Sequence, residues 1–224
     1  MLFSSIFFLF TFLPVLLIIY FAVPFKYKNY VLLAASLLFY AWGEPIYVFL
    51  MIFSIVFNWA MALDIEKERR IGKKTTLIFT IVVNLLILSF FKYYGFALDS
   101  INTLLGTNIS YTALPLPIGI SFYTFQAMSY IIDVYRGDTE AQESPLKFGL
   151  YLSLFPQLIA GPIVKYKDIA AELDNREISP DLIGEGSARF IIGLGKKVIV
   201  ANNMGALHTL ILSDGSNASV LTYW

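Results

Sequence analysis

Few residues in this chain of 224 have the chemistry of a catalyst. There is no cysteine, so thiolate nucleophiles, disulfides and Cys-held metals are excluded. His208 is the single imidazole, which also excludes a multi-His metal site within the chain. It is the one side chain whose ordinary pKa suits general-base work near neutral pH. Yet "NNMGALHTLIL" offers it no neighbouring carboxylate, and an interfacial histidine is the simpler reading. Walker, GxSxG and HExxH patterns are missing. The polar groups that remain sit inside apolar runs.

The most conspicuous set lies in "LPLPIGISFYTFQAMSYIIDVYR", residues 114–136. At 100° per residue, Gly119, Tyr123, Gln126, Tyr130 and Asp133 fall within about 80° of one another. Polar side chains at membrane depth face a bundle interior or a wet cavity. Two readings stand: the face lines a polar or substrate passage, or it glues the helix to a neighbour, with Gly119 allowing close approach. Pro115 and Pro117 suit a helix start, and Asp133 with Arg136 at i, i+3 predicts a helix-end ion pair.

A second set is "FPQLIAGPIVKY", residues 155–166. Pro156 removes a backbone donor and frees a carbonyl near Leu152, and Gly161–Pro162 end the helix again. Gln157 supplies a polar handle at the break. Lys165 and Lys167 at its mouth either attract an anionic ligand or simply fix topology. "WGEP" places Glu44 between two broken helices, in a polar vestibule or reaching the headgroups.

These sets need a membrane scaffold. The composition is 58% hydrophobic and only 14% charged, against about 25% charged in an average soluble domain. Lys+Arg and Asp+Glu both number 16, so nothing points to nucleic acid. Uncharged runs fall at 2–25, 29–43, 45–63, 75–91, 111–132, 148–164 and 198–213. Backbone groups in lipid must be satisfied internally, which predicts helices. The fold class expected is all-α: a polytopic transmembrane helical bundle with short, tilted and re-entrant members. Residues 2–25 read as a first transmembrane helix and 29–63 as a helical hairpin or tilted pair. Residues 148–164 read as re-entrant, and 165–185 as a loop with a short surface helix. The basic stretch "DIEKERRIGKK" belongs in the cytoplasm, which puts the N-terminus outside and every basic residue except Lys92 inside. Residues 1–224 form a single expected membrane domain, and the final "VLTYW" reads as the start of a further hydrophobic run.

"LPLPIGISFYTFQAMSYIIDVYRGD", followed by "LSLFPQLIAGPIVKY", resembles the membrane-bound O-acyltransferase family, closest to its bacterial alginate O-acetylation branch. "ASLLFYAWGEPIYVFLMIFSIVFNW" is similar to the same branch. The resemblance implies an enzyme of roughly twice this length in the plasma (inner) membrane. It would pass acetyl from a cytoplasmic donor, acetyl-CoA, towards hydroxyls of an exported polysaccharide such as alginate, with an extracytoplasmic acetyltransferase as partner. The family's catalytic histidine lies in a motif beyond residue 224, so no catalytic residue is carried over. Gly119, Tyr123, Gln126, Tyr130, Asp133, Arg136, Pro156 and Gln157 are carried over as tunnel or scaffold candidates, together with Gly161 and Pro162. Two rival functions are acyl transfer from a carrier protein, as in D-alanylation of teichoic acids, and a transporter or channel.

Overall fold

The computed structural model describes residues 3–67, 72–110, 112, 114–158 and 164–213. Among them there is no strand, and the helices run in order. They are α1 (Phe8–Ala22), α2 (Phe25–Gly43), α3 (Tyr47–Lys67), α4 (Lys73–Leu105) and α5 (Ile120–Arg136). Then follow α6 (Pro145–Ser153), α7 (Phe155–Leu158), α8 (Tyr166–Asp174), α9 (Pro180–Gly195) and α10 (Asn202–Ser213). A π-helical turn, Lys196–Ala201, joins the last two. Three helical stretches are long and apolar enough to cross a membrane: Tyr47–Lys67, Lys73–Leu105 and Pro180–Ile211. The helical membrane bundle expected from composition is the fold observed.

Several boundaries differ from expectation. The first helix occupies Phe8–Ala22, not the whole of 2–25. It stops before Pro24, whose missing N–H cannot extend it. Helix α4 runs on to Leu105 instead of ending near Lys92, because one lysine on a helix edge breaks no backbone bond. Helix α5 opens only at Ile120, because Gly119 is left-handed (φ 75°) and the prolines before it keep the chain extended. The final long helix begins at Pro180, where the Ser179 hydroxyl accepts from Leu182 N–H. Helix α8 is the short surface helix expected within 165–185, and α2 and α3 separate at Glu44, within "WGEP".

Two compact units arise. One is Val15–Asn175; the other joins residues up to Pro14 with those from Arg176 onward. In the first unit α3 is central, packing on α2, α4, α5 and α6. Its seam with α4 is polar. Thr76, Thr80, Asn84 and Leu88 repeat every fourth residue on α4 and are all buried. Asn84 meets Asn58 of α3 and Thr76 meets Asp64, and Ser54 of α3 is buried as well. The amides of Asn58 and Asn84 donate to each other's carbonyl oxygens at 3.2 and 2.8 Å. Asn58 also reaches the Ser54 carbonyl (2.8 Å) and Asn84 the Thr80 carbonyl (2.9 Å). Nearer the α3–α4 connection, the Thr76 hydroxyl donates to Asp64 Oδ2 at 3.1 Å. Where lipid supplies no hydrophobic drive between helices, such bonds set register.

Replacing Asn84 by Leu strands the Asn58 carbonyl oxygen. The expected cost is about 1–2 kcal/mol in thermal or denaturant unfolding of detergent-purified protein. The double variant Asn58→Leu/Asn84→Leu is expected to lose less than the sum of the two single changes. Additive losses would show that the amides do not act as a pair.

Candidate functional site: the polar face of α5 and the broken α6–α7 segment

Helix α5 turns Tyr123, Gln126, Tyr130 and Asp133 into the interior of the first unit, while Phe122 and Phe125 stay exposed. It ends in a Schellman arrangement about left-handed Gly137 (φ 78°): Asp138 N–H donates to the Asp133 carbonyl and Gly137 N–H to that of Val134. Gly119 is at the other end. A Cβ there would lie 2.9 Å from the Leu158 backbone oxygen, so only glycine fits both the left-handed conformation and the contact with α7.

The two sequence sets converge on one atom. Helix α6, capped by Ser144 and opened by Pro145, breaks at Leu154, where ψ turns to 113°. Phe155 N–H would reach the Tyr151 carbonyl in an unbroken helix; it donates instead to Ser36 Oγ of α2 at 3.3 Å. The bared Tyr151 carbonyl accepts Gln126 Nε2 from α5 at 3.0 Å and Gln157 Nε2 from α7 at 2.6 Å. The carbonyl that gathers these donors is thus Tyr151's, one residue before the Leu152 position expected, because the break precedes the proline.

One turn towards the α5 C-terminus, Tyr130 anchors a second cluster. Its ring lies 4.8 Å from Phe148 and 4.9 Å from Tyr166, and Tyr166 lies 5.2 Å from Tyr151. The Tyr130 hydroxyl accepts from Gln142 N–H at 2.7 Å. Gln142 satisfies all its polar groups: its carbonyl accepts from Trp59 Nε1 (3.0 Å), its amide donates to the Tyr166 hydroxyl (2.6 Å), and its Oε1 accepts from Ser144 N–H (2.9 Å). Burial pushes the Tyr166 phenol above its ordinary pKa, only partly offset by the Gln142 bond. Glu66 Oε1 holds the same loop through Ala141 N–H.

The outer members of the polar face behave differently. Tyr123 and Tyr40 are buried neighbours whose hydroxyls have at most each other, and no third group, to pair with among the described residues. Asp133 is 7% exposed and its Oδ2 has no partner among the described residues. The ion pair expected between Asp133 and Arg136 does not form: Arg136 points outward while Asp133 points into the bundle. Pro156 is exposed. His208 is exposed on α10, in the other compact unit. Gly161 and Pro162 lie outside the described residues. The sequence reading missed Tyr40, Tyr151, Gln142 and Ser36. Tyr40 and Tyr151 were legible as polar tips within apolar runs, whereas nothing in the sequence marks a loop glutamine as a hub.

Among the described residues, no cluster of three or more His, Asp or Glu side chains suits a metal ion. The arrangement in hand is a closed hydrogen-bonded middle with unused polar atoms at both ends of one helix.

A protein of Pseudomonas aeruginosa named "Probable alginate O-acetylase AlgI" is 42% identical over 213 residues, 92% of this chain and 41% of its own length. Its namesake in Azotobacter vinelandii is 40% identical over 222 residues, 96% of this chain and 44% of its own. The chain is homologous to the alginate O-acetylases. A Helicobacter pylori protein named "Peptidoglycan O-acetyltransferase" is 31% identical over 257 residues, covering 100% of this chain and 49% of its own length. The chain thus spans between two fifths and one half of these relatives. The family resemblance drawn from the motifs is borne out by them. No family model matches the chain, and no solved structure matches it.

Substitutions at three positions probe the junction. Gln126→Leu leaves Gln157 on the Tyr151 carbonyl and is expected to cost little. Gln126→Leu/Gln157→Leu strips it and is expected to cost about 1–3 kcal/mol in the unfolding midpoint of the detergent-purified protein. Gly119→Ala is expected to cost a similar roughly 1–3 kcal/mol from its strained φ and the approach to Leu158.

Proposed function

We propose that this chain is the part of an O-acetyltransferase that passes acetyl groups to hydroxyls of an exported cell-envelope polysaccharide, alginate in the first instance. The observation that carries this reading is the identity with alginate O-acetylases over more than nine tenths of the chain. The donor in this reading is cytoplasmic acetyl-CoA, and an extracytoplasmic acetyltransferase completes delivery. The N-terminus lies outside the plasma membrane, with the broken α6–α7 segment dipping in from the cytoplasm.

The polar residues of the first unit take supporting roles here. Transfer to a hydroxyl needs a general base for the acceptor proton and a water-poor enclosure for the thioester. The described residues of the first unit include no histidine. They offer an enclosure: the aromatic cluster about Tyr130 and the Gln126–Gln157 junction keep water from the middle of α5. In this reading His208 is an interfacial residue and the base lies elsewhere, since His208 stands exposed on α10 and makes no bond to a carboxylate among the described residues. Peptidoglycan is the second acceptor worth testing, because a peptidoglycan O-acetyltransferase matches the whole chain at lower identity.

Deletion of the full-length gene in its source organism is expected to remove ester-linked acetate from an envelope polymer, and the intact gene to restore it. Saponified acetate measured separately in secreted polysaccharide and in peptidoglycan identifies the acceptor. Unchanged acetate in both fractions would refute the proposal. In the same assay the full-length His208→Ala variant is expected to retain wild-type acetylation. Loss of acetylation at normal protein abundance would make His208 catalytic after all.

A further inference from the structure

Asp133 is a charge that the first unit does not balance. It lies in the last turn of α5 and faces the bundle, with 7% of its surface open. No hydrogen bond or ion pair of the described residues reaches its carboxylate, and Oδ2 is enclosed. The position is hostile to a carboxylate in three ways. Burial strips its water. The C-terminal end of a helix carries partial negative charge. The Tyr151 phenol, within electrostatic reach, has committed its proton to the Val164 carbonyl at 3.0 Å. Protonation does not resolve the conflict, because a carboxylic acid needs an acceptor for its O–H and Oδ2 has no partner of either kind.

The cations of the first unit are turned elsewhere. Arg136, Lys165 and Lys167 are exposed. Lys147 pairs with Asp174, and Lys67 with Glu143. The amide of Gln126, further along the same face of α5, is spent on the Tyr151 carbonyl, and that of Gln142 on the Tyr166 hydroxyl. Ionisable groups inside a membrane bundle pair with one another. The donor named above, a coenzyme A thioester, is itself anionic, so a bare carboxylate repels it. What fits is a cation carried on a protein side chain. The relatives hold more than half of their length outside the part that this chain matches.

We propose that a Lys or Arg side chain of that remaining part docks on Asp133 as an ion pair, entering at the open edge of the carboxylate. This rests on reading the chain as part of a longer acetyltransferase. The charge of a carboxylate is shared by both oxygens, so a cation at the open edge balances the enclosed Oδ2 as well. The pair fixes the rest of the protein against the end of α5, beside the cluster about Tyr130.

The test uses the full-length protein purified in detergent. Each Lys and Arg outside the matched region is replaced singly by Met, with and without Asp133→Asn, and thermal midpoints are compared. Asp133→Asn is expected to lower the midpoint by on the order of 5 °C, through loss of a buried pair. One of the basic replacements is expected to lower it alike, and adding Asp133→Asn to that variant to lower it no further. If Asp133→Asn does not accumulate, the same basic replacement is expected to restore it, because it removes the cation left unpaired. Additive losses or no restoration with every basic residue would overturn the proposal, as would an unchanged midpoint for Asp133→Asn. Coupling to Arg69 or Arg70, measured in the same way, would overturn it in favour of a pair within this chain. The readout is unfolding, so these failures leave the acetyltransferase reading standing. A full-length protein closing at Trp224 would overturn the ion pair together with the longer enzyme.

Discussion

A backbone carbonyl without a donor is the constraint around which the first unit is arranged. Inside a membrane protein no water replaces a lost helical hydrogen bond, and an unpaired peptide group costs several kcal/mol. The break at Leu154 creates one such carbonyl on Tyr151. Glutamines from α5 and α7 converge on it, while the N–H that would have served it is taken by Ser36 of α2. One local interruption thereby ties three other helices together. The Phe39–Phe155 ring contact at 5.4 Å and the close approach at Gly119 follow from the same junction.

This junction also assigns the polar residues of α5 to two kinds of work. Gln126 and Tyr130 hold protein to protein, so the middle of the helix is shut. Tyr123 has at most the Tyr40 hydroxyl to pair with, and Asp133, about 15 Å further along the axis at 1.5 Å per residue, keeps an oxygen that no described group satisfies. The passage and glue readings of one amphipathic face are therefore not exclusive. Glue occupies the centre, and acceptor and donor capacity remains towards the two ends.

Much of this was legible in the residues. The apolar runs announced the helices because lipid leaves the backbone no other way to satisfy itself. Gly119 was readable as a point of close approach, and Pro156 and Gln157 as a broken, polar-tipped segment. Helix ends were harder. Ser179–Pro180–Asp181 is a good start signal, but the uncharged run that marks this helix begins only at residue 198. The every-fourth-residue series Thr76, Thr80 and Asn84 was available to periodicity, yet it is hidden when a run is scored only as uncharged. The meeting of Gln126 with Gln157 was beyond reach, since it depends on how α5 and α7 cross in space. The Asp133–Arg136 pair failed for a related reason: the buried side of α5 is set by its neighbours, and three residues further on the helix surface has already turned outward.

The seam between α3 and α4 has a temporal consequence. Its amide pair, its hydroxyl bonds and the Thr76–Asp64 contact all close within residues 54–84, without help from any later segment. Synthesis delivers these two helices in succession. They can zip into fixed register as soon as both have entered the bilayer, before α5 exists. The later helices then assemble on a finished template, and their interrupted backbones find partners already in place.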